Sequence, residues 1–173
     1  MRLAASIPLS RALMVCASVL AIAGCKRSSE ADMRAMLAEW VPLGDTIAFE
    51  ATRGCAAGLF DLVDGRIASR MRVATSVQEA AMILRGKDAV AIDDTGLTPD
   101  AAILELMQAD RSAGMTMRMA GLEGRECMDG EVQGAFAAAL VNPRAVLLVG
   151  HERRILALMD VDAGLLVAAM GAK

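Results

Sequence analysis

His151 is the single histidine of the 173-residue chain, so any Cys-His or Ser-His nucleophile must use it. It falls in Gly150-His151-Glu152-Arg153, between two apolar runs, where a hairpin turn is expected to leave the imidazole exposed and solvated. One histidine and no clustered cysteines speak against a zinc site, so no metal and no cofactor is expected. Asp160-Val161-Asp162-Ala163-Gly164 has the spacing of the first half of a calcium loop. It lacks a third ligand and a closing glutamate, and reads as a plain turn. Arg66, Arg70 and Arg72 would line one edge if their segment were a strand. A solvated face is the default for them, and an anion or acidic-partner site the alternative. The 13 methionines are scattered and never grouped with histidine, as adaptable core fillers are. The sequence holds neither a Gly-rich phosphate loop nor a Gly-x-Ser-x-Gly elbow.

Asp93-Asp94-Thr95-Gly96 follows the apolar run Ala89-Val90-Ala91-Ile92. An apolar strand ending in Asp-Thr-Gly resembles the catalytic loop of aspartic proteases, where two such aspartates share a proton across a dimer or pseudo-dimer. The resemblance implies a catalytic Asp94, with Leu148-Val149-Gly150 matched to the apolar pair and glycine that close that family's site. Three features depart from it: residues 99–109 look helical where the family has sheet, only one Asp-Thr-Gly occurs, and no flap-like hairpin separates the motifs. Asp, Thr and Gly are also ordinary residues of a loop at a strand end. An aspartyl hydrolase using Asp94 is the enzyme alternative; the main reading assigns no catalytic residue.

The N-terminus carries an address. Arg2 and Arg11 form a basic flank, and residues 12–24 an apolar run too short to span a bilayer comfortably but right for a secretory signal core. The run closes on Ile22-Ala23-Gly24-Cys25, which resembles the lipobox of bacterial lipoproteins. That resemblance covers residues 1–25 and implies removal of residues 1–24 and a thioether from Cys25 to diacylglycerol. An ordinary signal peptide cut near Ala23, or an uncleaved anchor, is the alternative. Lipid chains on Cys25 suffice for anchoring. The implied location is the periplasmic face of the cell envelope. Lys26 stands where aspartate is the familiar inner-membrane retention signal of enteric bacteria, so the outer membrane is favoured over the inner if the cell is Gram-negative. In that oxidising compartment Cys16 leaves with the signal and Cys25 is lipidated, so Cys55 and Cys127 remain as an even pair and a disulfide is the leading reading. Two buried thiols or a reactive pair are the alternatives.

Removing residues 1–24 takes away two arginines and no acid, so the net charge falls from −3 to about −5. No basic stretch is present that would hold a phosphate backbone, so nucleic acid is not an expected partner. Three Phe, one Trp and no Tyr leave little for an exposed aromatic platform of the kind that binds glycans or stacks bases. The length suits one domain with its own core.

After a polar tether over residues 25–31, the chain reads as a single domain over 32–173. Met33, Met36, Leu37 and Trp40 share a helical face, stopped by Pro42 and Gly44. Residues 46–52 alternate as a strand, and 57–63 return as its hairpin partner. Residues 66–74 stay open between strand and short helix. Ser76 with Glu79 caps a helix over 77–85, with Gly86 ending it; 88–92 is a short buried strand. Thr98-Pro99 opens a helix running to Ala109. Residues 111–126, rich in Gly and Met without clear period, read as a loop with a strand at 115–119. Residues 129–141 form a strong helix, in which Gly134 and Ala138 would admit a close neighbour; Asn142-Pro143 ends it. Residues 145–149 and 155–159 form a second hairpin, and 161–170 is a final strand or a docked helix.

The expected fold is α+β, a mainly antiparallel sheet of about five strands with helices packed on one face. The expected function is a membrane-anchored envelope lipoprotein acting as a binding or assembly module, its partners membrane lipid through Cys25 and another envelope protein. Besides the aspartyl hydrolase, a small apolar-ligand carrier with a cavity between sheet and helices is an alternative.

Overall fold

The structure, a computed structural model, describes residues 28–86, 89–93, 96–151 and 154–171. The elements are α1 (Glu30–Leu37), β1 (Leu43–Ala51), β2 (Ala56–Leu62), β3 (Arg72–Ala74), α2 (Val77–Leu84), β4 (Ala89–Ile92), α3 (Pro99–Ala109) and α4 (Arg111–Gly124). A single 3-10 turn (Arg125–Cys127), α5 (Gly130–Val141), β5 (Val146–Gly150), β6 (Ile155–Asp160) and β7 (Leu165–Met170) complete them. The strands form one open sheet in the order β1-β2-β7-β6-β5-β4-β3, antiparallel at every step except β3–β4. The fold is α+β. The sheet has seven strands where the sequence gives reason to expect about five, because β3 and β7 resolve two segments that the residues left open.

The pleat sends alternate side chains to opposite faces. Val90, Ile92, Leu147, Val149, Leu156 and Leu158 meet α2, α3, α4 and α5 on one face. Ala91, Leu148, Ile155, Ala157, Met159 and Ala168 meet Met33 and Leu37 of α1 together with Trp40 on the other. The expectation of helices on one face holds for four of them, and α1 is the exception. Sheet residues are therefore apolar on both sides, which is why β5, β6 and β7 are buried along nearly their whole length.

β1 is an open edge. Its pairing with β2 is irregular between Leu43 and Thr46. There Arg34 of α1 donates from Nη1 to Thr46 Oγ1 (2.6 Å) and from Nη2 to the Gly44 carbonyl (2.7 Å), and its guanidinium lies 5.8 Å from the Phe60 ring centre. A distorted start filled by an arginine makes a poor template for another strand.

Register decides which loops share an end of the sheet. Ala51 pairs with Ala56, Ala56 with Met170, Met170 with Ile155, Ile155 with Gly150, and Gly150 with Ala89. This hairpin end carries the β1–β2 turn. The far end has Leu43 with Leu62, Asp61 with Leu165, Leu165 with Asp160, and Ile92 with Leu147.

Residues 111–124 are a helix, not the loop with a strand at 115–119 that the composition suggests. The reason is an inverted pattern. Ala113, Gly114, Met117, Ala120, Gly121 and Gly124 are buried, whereas the large apolar Met115, Met119 and Leu122 are exposed. Small residues let the helix axis come close to its neighbours: a Cβ at Gly114 would stand 2.5 Å from Met107 Cα, and one at Gly124 2.6 Å from Ala169 Cβ. Gly134 and Ala138, expected to admit a close neighbour, are exposed, and nothing lies within 4 Å of a Cβ at Gly134.

Asp110 starts α4 by accepting from Ala113 N–H at 3.1 Å, and Arg85 Nε lies 3.6 Å from its carboxylate. The Ala113 N–H, helped by Arg85, holds its pKa below the ordinary carboxylate range. A carboxylate with a depressed folded pKa contributes stability present above its unfolded pKa and lost as pH falls through the folded one. Asp110→Ala is expected to cost about 1 kcal/mol at neutral pH. Asp110→Asn, which keeps the cap acceptor, costs less, and its deficit closes below about pH 4. Urea unfolding at neutral and acid pH checks this; a deficit for Asp110→Asn that does not change with pH would count against the charged cap.

Candidate functional site

Thr52 ends β1 and organises the turn that follows. Its Oγ1 accepts from the N–H of Gly54 (3.2 Å) and of Cys55 (3.3 Å), so its own proton is left for another acceptor. Two sulfurs are in reach: Cys55 Sγ at 3.4 Å and Cys127 Sγ at 3.6 Å. Bonded sulfurs carry no proton, so the hydroxyl is the donor to the pair. Cys55 and Cys127 are a disulfide-distance pair, with their Cα atoms 6.0 Å apart, and both are buried. The 3-10 turn after α4 delivers Cys127 to the hairpin. The pair was expected because Cys55 and Cys127 are the two cysteines left once Cys16 and Cys25 are set aside; nothing in the sequence marked Thr52 as its hydrogen-bond donor.

A hollow of about 350 Å³ on the other side of the same hairpin is lined by Ser28, Ser29, Phe49, Glu50 and Ala51. Its lining is mixed and includes a carboxylate, unlike the apolar cavity that a carrier of small apolar ligands would need. Cys25, read as the lipidated residue, lies outside the described residues.

Asp94 and Thr95 also lie outside the described residues. The strand before them pairs directly with the residues matched to the family's closing tripeptide, Ala91 opposite Leu148 and Val90 opposite Val149, but in a register that carries the glycine away from the exit of β4. β4 pairs with β5 so that Ile92 faces Leu147, while Gly150 faces Ala89 at the opposite end of the strand. At about 3.3 Å per residue Gly150 stands roughly 10 Å along the strand from the exit of β4 at Ile92. Asp93 is exposed at the far end.

His151 is half-buried, and its Nδ1 is buried without a hydrogen-bond partner, in place of the expected solvated imidazole. On the backbone side, Arg154 N–H donates to the His151 carbonyl at 3.3 Å. The Asp160–Gly164 segment is a turn. Asp160 Oδ1 accepts from Ala163 N–H at 3.1 Å and Oδ2 from Asn142 Nδ2 at 2.9 Å, so its oxygens are engaged locally, and Asp162 pairs with Arg144. Among the described residues no group of three or more His, Cys, Asp or Glu side chains could hold a metal ion. Arg66, Arg70 and Arg72 do not line an edge together. Only Arg72 lies in β3, and Arg66 is held by Asp64 at 2.7 Å, a contact that lowers the Asp64 pKa through the side-chain hydrogen bond.

Charge is uneven between the two ends. Asp45, Asp61, Asp64, Asp93, Asp160 and Asp162 sit at the far end, where Arg66 and Arg144 are each paired with one of these acids. Val63, Val141 and Val161 stand at that end 67%, 66% and 46% exposed. Gly65 packs on Val161, and Asn142 reaches Asp160, which ties the three loops together. Among the described residues no helix is long and apolar enough to cross a membrane. No protein-family model, curated protein or solved structure matches the chain.

Proposed function

We propose that this chain is a lipid-anchored domain of a bacterial cell envelope, attached through Cys25 at the periplasmic face. It works as a binding or assembly module for another envelope protein, without catalysis. The outer membrane is favoured in a Gram-negative cell, because Lys26 follows the lipidated cysteine. The observation that carries the reading is how soon after Cys25 the fold begins. Ser29 already caps α1, its Oγ accepting from Asp32 N–H at 3.1 Å, so α1 starts at Glu30, within the stretch expected to be tether. A cysteine pair at bonding distance fits an oxidising compartment.

The partner surface of this module is the far end, which points away from the anchor. Three exposed valines among six aspartates suit a partner that offers an apolar contact rimmed by basic side chains, which gives both packing and charge complementarity. The aspartyl hydrolase using Asp94 has no specific observation in its favour: the strand before Asp94 pairs with the matched tripeptide, with Gly150 opposite Ala89 rather than at the exit of β4.

Intact mass spectrometry of the protein from its native membrane, before and after reduction, tests the anchor. A chain starting at Cys25 with added acyl mass, gaining two hydrogens on reduction, is the expected result. A chain that retains residues 1–24, or that carries no lipid, overturns it. A photo-crosslinker at Val161 is expected to join the chain to one envelope protein, and one at the exposed Gly134 is not; no adduct at Val161 would remove the far end as the partner surface.

A further inference from the structure

α4 carries a second, unpartnered surface of different chemistry. Arg111, Arg118 and Arg125 recur every seven residues and fall on one outer face, alongside Met115, Met119 and Leu122. None of the three arginine side chains has an ion pair or hydrogen bond to a described residue. Glu126 is the one exposed acid between Arg111 and Cys127. A basic row beside an apolar row on an exposed helix is the pattern of an interfacial helix, with the apolar groups entering the headgroup layer and the arginines meeting phosphates.

The position of α4 agrees with that chemistry. α2 returns the chain from the far end of β3 to the hairpin end of β4, and Arg85 after it contacts Asp110, so α4 begins near the hairpin end. It also finishes there: Gly124 packs on Ala169, and Glu123 touches Gly171. Arg125 and Ser28 flank the same hairpin, Ser28 in the hollow beside Ala51 and Arg125 two residues before the Cys127 that meets Cys55. Ser28 is three residues after Cys25, a reach of roughly 11 Å. With Cys25 acylated, the hairpin end cannot leave the lipid surface.

We propose that the outer face of α4 docks on the anionic headgroups of the bilayer that holds the lipid anchor, so that the domain leans toward its helical layer and the acidic far end is turned to the aqueous side. This rests on the lipid-anchor reading above. Repulsion between the six far-end aspartates and an anionic surface favours the same orientation.

The test uses the full acylated protein reconstituted in phosphatidylglycerol-containing vesicles and, separately, in phosphatidylcholine vesicles. Methionine oxidation by dilute peroxide is followed by peptide mass spectrometry. Met115 and Met119 are expected to oxidise at least roughly threefold more slowly in the anionic vesicles. The protection is expected to vanish at about 0.5 M salt, where the screening length falls to roughly 4 Å. Met82, 65% exposed on α2, is the internal reference and keeps one rate throughout. The Arg111→Glu, Arg118→Glu, Arg125→Glu variant changes only exposed side chains and is expected to lose the protection while Met117, buried beneath them, stays unreactive as a report of intact folding. Equal rates in both lipids, or protection indifferent to salt and to the three substitutions, overturn the proposal. Protection that appears in detergent and grows with protein concentration assigns the face to a second copy of the chain and overturns it too. Intact mass of the same sample reports acylation independently, so loss of the anchor reading is seen separately from failure of the docking.

Discussion

Reducing the Cys55–Cys127 pair, or replacing both cysteines by alanine, is expected to lower the stability of the domain by roughly 4 kcal/mol, the loop-entropy value for a closure of 72 residues. For a domain of this length that corresponds to a fall of about 10 °C in the thermal midpoint. The pair ties the β1–β2 hairpin to the 3-10 turn that follows α4, 72 residues on in the chain. Its sulfurs are buried and accept a hydrogen bond from the Thr52 hydroxyl, so reduction leaves two thiols in a space shaped for one bond. The double alanine variant separates the covalent link from thiol chemistry and should match the reduced protein within about 1 kcal/mol, the error expected from the change in unfolded state. Thermal melts with and without reductant read the effect. A shift under about 2 °C on reduction would mean the bond contributes little to this fold.

The fold was legible where a segment buries one face or announces its ends. Ser76 and Thr98 cap α2 and α3 as their positions suggest, and Asp129, expected as the first residue of its helix, caps α5, each accepting from the N–H three residues on. The capping box of Ser76 departs in one detail: Glu79 reaches back to the Thr75 N–H at 3.0 Å. β7 was not legible, because Leu165–Met170 is buried on both faces and a short run of apolar residues has no period to separate strand from helix. β3 has three residues and pairs only with β4, too little to rise above its surroundings. α4 was misread for the opposite reason. Its period is present, but it is carried by small residues inside and large ones outside, and a search for large apolar residues on the buried face finds no helix.

For the site, setting aside Cys16 and Cys25 as the expected signal and lipidated residues was enough to pair Cys55 with Cys127, since two cysteines admit one connectivity. The roles of Thr52 and Arg34 depend on how hairpin and sheet edge close in space, and no spacing encodes that. The end of the molecule to which each loop belongs was likewise hidden until the register was known. The six aspartates are spread from Asp45 to Asp162 in sequence and share one end only because β1, β2, β4, β6 and β7 align as they do.

One substitution made at two glycines should give effects of opposite sign. At Gly134, in the exposed middle of α5, alanine has open space and a helical backbone to join, so Gly134→Ala is expected to stabilise by about 0.5–1 kcal/mol. At Gly124 the helix propensity gain is the same in kind, but the new Cβ would stand 2.6 Å from Ala169 Cβ and 3.3 Å from Ala169 Cα. Ala169 belongs to β7, held between β2 and β6, and has no flexible end with which to retreat. Either α4 lifts from the sheet or the strand bends, and Gly124→Ala is expected to lose about 2 kcal/mol net. Lifting α4 also moves the 3-10 turn that delivers Cys127, so the variant should make the Cys55–Cys127 bond easier to reduce, whereas Gly134→Ala should leave it unchanged. Urea unfolding and reduction rates for the two variants settle the matter: stabilisation by both would show that α4 does not need its small face, and the inverted pattern would lose its physical reason.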